Sequence, residues 1–106
     1  MAKHTVSSVP TALGEFLAIV PDFTSGKGFY VVHFNRALRW TASHRYDTEA
    51  EAKAQMRIMR IWHKYIARAC VLGGRRSHAG RQMLQKGREW CDKQKAKLRK
   101  SINEAS

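Results

Sequence analysis

Five basic residues, Lys53, Arg57, Arg60, Lys64 and Arg68, recur at spacings of four, three, four and four. On an α-helix that spacing gathers all five side chains into one stripe. A stripe of cations suits one task above others. It can neutralise the phosphates of a nucleic-acid backbone and release their counterions. Like charges at i,i+4 oppose helix formation, and together these pairs cost about 1 kcal/mol. Residues 52–88 hold ten Lys and Arg and no acid, within a chain at formal net charge +12. A surface that only needed solubility would intersperse both signs. An anionic partner accounts for the pattern, and nucleic acid is the commonest one.

Two further groups extend the expected interface. Arg75, Arg76 and Arg81 stand among Gly73, Gly74 and Gly80. A glycine-rich loop with free amides can wrap a phosphate, although the GxxxxGK[ST] arrangement of a nucleotide-binding loop is missing. Arg39 and Arg45 alternate with Thr41 and Ser43 on the expected outer face of a strand, and a two-stranded ribbon can enter a major groove. A later cluster, Lys93, Lys95, Lys97, Arg99 and Lys100, respects no single helical face and reads as generic charge.

Catalytic chemistry finds little support. There are eight acids, of which Glu49 and Glu51 suit a helix start and Glu89 and Asp92 stand alone on a later helix. A two-metal nuclease needs several convergent carboxylates. The histidines are scattered. His33 falls mid-strand, His44 on an expected inner strand face, and His63 beside Trp62. Cys70, His78 and Cys91, with His63, are spaced eight and thirteen apart, which matches no usual zinc pattern. Cys70 and His63 lie about 10 Å apart by helical rise alone, too far for a nucleophile and its base. The expectation is a protein that is not an enzyme, with no metal and no cofactor.

The elements that must position these residues follow from periodicity and punctuation. Residues 1–9 are polar and read as a flexible N-terminus. Leu13, Phe16, Leu17 and Val20 recur at three and four, which predicts a short helix stopped by Pro21. Residues 22–28 form a loop, and 29–34, aromatic and β-branched, a strand. Next, Leu38, Trp40, Ala42, His44 and Tyr46 alternate with polar residues, so they form the apolar face of a second strand. Thr48 and Glu51 make a capping box for a helix over 49–70. Its core line is Ala52, Gln55, Ile58 or Met59, Trp62, Ile66 and Ala69. Residues 73–80 read as a flexible basic loop, and 81–103 as a last helix interrupted by Gly87.

The resulting fold class is α+β: a short N-terminal helix, a β-hairpin packed on a long amphipathic helix, and a C-terminal helix (αββαα). Residues 10–103 form a single small basic domain, with 93–106 projecting or frayed. The function expected is non-enzymatic nucleic-acid binding, duplex DNA ahead of RNA. The competing expectation is a small interaction or inhibitor protein that presents its basic surface to an acidic protein. Leu84, Cys91 and Leu98, seven apart, offer a seam for a homodimer. No segment approaches 18 apolar residues, so no membrane partner is expected. Without a secretory signal in residues 1–20, Cys70 and Cys91 read as free thiols of a cytoplasmic protein.

Overall fold

The computed structural model describes residues 8–37 and 39–105. It opens with a β-meander where the periodicity predicts a helix. Strands β1 (Ser8–Pro10), β2 (Phe16–Pro21), β3 (Phe29–Phe34) and β4 (Trp40–Ala42) pair antiparallel in that order. Helices α1 (Glu49–Val71) and α2 (His78–Ala105) follow, joined through a short 3-10 turn at Gly74–Arg76. The fold is therefore α+β with a four-stranded antiparallel sheet and two helices, not the αββαα arrangement.

The turn at residues 11–15 explains the first correction. Thr11 and Glu15 face each other, with Thr11 N–H donating to the Glu15 carbonyl at 2.8 Å. The Thr11 hydroxyl accepts from Leu13 N–H at 3.2 Å, and Gly14 takes φ +72°. A glycine in the left-handed region closes a short hairpin at no steric cost. Apolar residues three and four apart in a short run fit a buried strand as well as a helix, and Ile19 and Val20 prefer the strand. Expected as flexible, Ser8 and Val9 pair with Ala18 and Leu17. The expectation for residues 1–7 lies outside the described residues.

Direct pairing fixes the two sheet faces. Leu17 opposite His33, and Ile19 opposite Val31, point toward α1. Phe16, Phe34 and Trp40 pair across to the other face, turned from α1, where Ala18 and Val32 are buried between them and their neighbours. The alternation in β4 is thus read in inverted phase. Trp40 lies on the face turned from α1 at 64% exposure, and Thr41, opposite His33, lies on the helix side. A bulge then restores the expected burial of Tyr46. From Val31 back to Phe29 the strand moves two residues, whereas its partner moves three, from Ser43 to Tyr46. The extra residue flips the pleat. Ser43 steadies the bend by accepting from Val31 N–H through its hydroxyl at 3.0 Å. Beyond the bend, Tyr46 is buried with Val31 and Ala52.

α1 starts where the capping box places it, with the Thr48 hydroxyl accepting from Glu51 N–H at 3.2 Å. Ala52, Met56 and Met59 meet the sheet, and His63 stacks edge-on against His33. Trp62 and Tyr65 instead press on α2 at the buried Gly87. One face for the sheet and another for α2 makes the buried arc wider than the single core line expected. Residues 73–80, expected as a flexible loop, form a hydrogen-bonded 3-10 turn and the start of α2. Gly73 and Gly74 take positive φ, and the Ser77 hydroxyl bonds to the Leu72 carbonyl and accepts from Gly80 N–H at 2.9 Å. α2 then begins three residues earlier than expected, at His78. Basic as its second half is, α2 sets Leu98 and Ile102 against Val31, Tyr46 and Ala52.

Candidate nucleic-acid interface and a buried histidine cluster

α1 carries Lys53, Arg57, Arg60, Lys64 and Arg68 exposed along one flank, with Arg57 at its border with α2. The stripe runs about 22 Å along the helix axis. Lys53 pairs with Glu49 at 3.4 Å, both ends being largely exposed. Among the described residues, Arg57, Arg60, Lys64 and Arg68 have no acid within ion-pair distance. Arg57 also shares a groove with Trp90, Gln94 and Lys97 of α2, so one member of the later basic cluster joins the flank.

The remaining expected contacts divide. Arg75 and Arg76 are exposed in the 3-10 turn beyond the C-terminal end of α1. Arg81, in the first turn of α2, donates through Nη1 to the Arg75 carbonyl at 3.1 Å, which ties its side chain to the corner. Arg39 and Arg45 are exposed but belong to the sheet layer. The ribbon face expected for them is not built. β4 is three residues long, and the two arginines flank it instead of lining it. The stem of Arg45 lies over Gly28, where a Cβ would meet its Cδ at 2.7 Å.

Sequence reasoning missed two features. Pro10, Phe16, Phe34 and Trp40 are successive partners across all four strands, forming a mostly aromatic row on the sheet face turned from α1. Phe16 is 47% exposed. Tyr30 shares that face, while Phe29 packs in the core. The inverted phase of β4 hid the row, because Trp40 was placed inside.

The second missed feature is a convergence of Glu15, His33 and His63, whose ligand-capable atoms all lie within 4.8 Å of one another. Glu15 Oε1 sits 2.9 Å from His33 Nε2, and the His33 and His63 rings meet edge to face at 5.2 Å between centroids. His63 is 6% exposed, and its Nδ1 is buried with no hydrogen-bond partner among the described residues. Burial holds its pKa below 6.5, with His33 reinforcing and Glu15 opposing that shift. A buried, neutral imidazole is the result. The three residues are separated by 18 and 30 positions. No local motif signals such a group, and reading residues 13–20 as a helix removed Glu15 from the strand end that presents it. The zinc set considered from spacing does not assemble. Cys70 is exposed and Cys91 buried, both free, and among the described residues only Glu15, His33 and His63 gather as metal-capable groups.

Of the seam considered for a homodimer, Cys91 is buried beside Ile58 and Trp62, and Leu98 packs in the core. No helix among the described residues is long and apolar enough to cross a membrane. No family model, curated protein or solved structure matches this chain.

Proposed function

We propose that this chain binds nucleic acid without catalysing a reaction, and that phosphates of a duplex lie along the exposed flank of α1. The observation that carries the reading is the row Arg57, Arg60, Lys64 and Arg68, four exposed cations with no acidic partner among the described residues. Their mutual repulsion destabilises the free protein and is relieved when phosphates intervene. Arg75 and Arg76 extend the flank at one end, and Lys97 widens it beside Arg57. The protein works in the cytoplasm, where Cys70 and Cys91 stay reduced.

Fluorescence anisotropy with labelled duplex DNA, across a salt series, tests the proposal. Each phosphate contact contributes about −0.9 to the slope of log K against log salt. The triple substitution R57Q/R60Q/K64Q removes three contacts, so the slope should become shallower by about 2.7. A folded triple variant that binds duplex with unchanged affinity and slope sinks the reading. One protein captured after nuclease treatment, and lost with the same variant, would transfer the flank to an acidic protein partner.

The aromatic row favours a second reading, in which single-stranded nucleic acid stacks on Phe16, Phe34 and Trp40. Base stacking on an aromatic side chain contributes about 1–3 kcal/mol. Trp40→Ala would then weaken single-strand binding roughly tenfold and leave duplex binding unchanged.

A further inference from the structure

We propose that Glu15, His33 and His63 form a binding site for a divalent transition-metal ion of the zinc class. The donor set is one carboxylate and two imidazoles, the borderline nitrogen and oxygen chemistry that zinc takes readily. Three protein ligands leave a fourth position for water. The inference does not depend on nucleic-acid binding.

Three observations support it. The first is convergence. Two ligands each about 2.1 Å from a tetrahedral ion stand about 3.4 Å apart. The cluster brackets that value, from 2.9 Å between Glu15 and His33 up to 4.8 Å at the widest. Rotamer adjustments of about an ångström would therefore close the site.

The second is His63. A buried imidazole nitrogen with no partner costs about 1–3 kcal/mol, and His63 Nδ1 is such an atom.

The third is provenance. Glu15 comes from the end of the β1–β2 turn, His33 from β3 and His63 from the middle of α1. Each is held by a different element, so the three come together only in the folded chain. An ion bound there would tie the sheet to the helix layer, and its binding energy would add to folding stability.

The full chain, stripped of metal with a chelator, is titrated with cobalt(II) as a spectroscopic stand-in and separately melted with zinc. The expected result is a saturable visible d–d spectrum of four-coordinate cobalt at one equivalent. Zinc should raise Tm by roughly 10 °C at a hundredfold excess over Kd. Glu15→Gln and His33→Gln change partly exposed residues, so they test the ligands without hollowing the core. Each should weaken cobalt binding at least about tenfold. His63→Gln, if it folds, should abolish binding. Absence of both the cobalt spectrum and the zinc shift would overturn the proposal. So would a spectrum that survives unchanged in Glu15→Gln and His33→Gln, since the ion would then sit on other histidines.

Discussion

Gly87→Ala probes the helix pair at its closest approach. A Cβ at Gly87 would lie 2.7 Å from both Cβ and Cγ of Tyr65, and 2.8 Å from Cζ3 of Trp62. Comfortable carbon contacts are about 3.5–4.0 Å, so one methyl group intrudes by about 0.8 Å on two aromatic side chains. The Tyr65 Cβ is fixed to the backbone of α1 and cannot swing aside, so the helices must separate or α2 must shift. Overpacking of this kind costs about 1–3 kcal/mol. Opposing it, alanine in a helix interior is favoured over glycine by about 1 kcal/mol. The stem contact puts the cost in the upper half of its range, leaving a net loss of about 1–2 kcal/mol. For 106 residues, an unfolding entropy of about 2.1 cal/mol/K per residue turns that loss into a Tm drop of roughly 5–9 °C. Thermal melts by circular dichroism, without nucleic acid or metal, give the number. Ser101→Ala, at an exposed position on the same helix, is the control and should be neutral or slightly stabilising. A Gly87→Ala protein that melts at or above the parent temperature would refute the close packing of Trp62 and Tyr65 on α2.

Acid should destabilise the metal-free protein through His63. Its folded pKa lies below 6.5, so the unfolded state takes up a proton first as pH falls. Stability is therefore full above pH 6.5 and declines as pH drops toward the folded pKa. Urea melts from pH 7.5 to 5 should show that decline and a flatter profile in His63→Gln. Equal slopes in the two proteins would argue against a buried neutral His63. The two thiols should separate in reactivity. Cys91 is 5% exposed and its pKa is raised, chiefly by burial, whereas Cys70 is exposed. A thiol reagent at pH 8 should modify one cysteine rapidly and the second only at the rate of unfolding, and peptide mapping should identify the fast one as Cys70.

Legibility in the sequence followed the locality of the signal. The cap at Thr48, the length of α1 and the strand at 29–34 depend on neighbouring residues, and the chain displays them openly. So does the cationic stripe, because an exposed helix face needs no tertiary partner to be read. β2 was obscured because Leu13, Phe16, Leu17 and Val20 satisfy the helical spacing as well as the strand, and the deciding turn hangs on one left-handed glycine, Gly14. The phase of β4 was inverted because the apolar members of its alternation were assumed to be the buried ones. In the structure Trp40 points away from α1, and a single extra residue before Tyr46 changes the face partway along. Nothing between residues 38 and 46 marks that insertion in advance. The Glu15, His33 and His63 convergence is the least local feature, requiring the β1–β2 turn, the β2–β3 register and the seating of α1 to be known together.

Among the described residues, β1 and β4 are the outer strands of the meander. β1, described from Ser8 to Pro10, ends in a residue without an N–H. β4 is three residues long, and the bulge after it interrupts the ladder before Tyr46 pairs again with Phe29. β2 and β3, the six-residue strands with the strongest apolar character, lie between these edges and present no unpaired rim of their own. Edge-to-edge growth at the β4 side, a usual hazard of a small open sheet, is therefore blunted by its short length and bulge. The high positive charge adds electrostatic repulsion between copies. Phe16 and Trp40, in the aromatic row that crosses the strands between these edges, stay exposed on the face turned from α1.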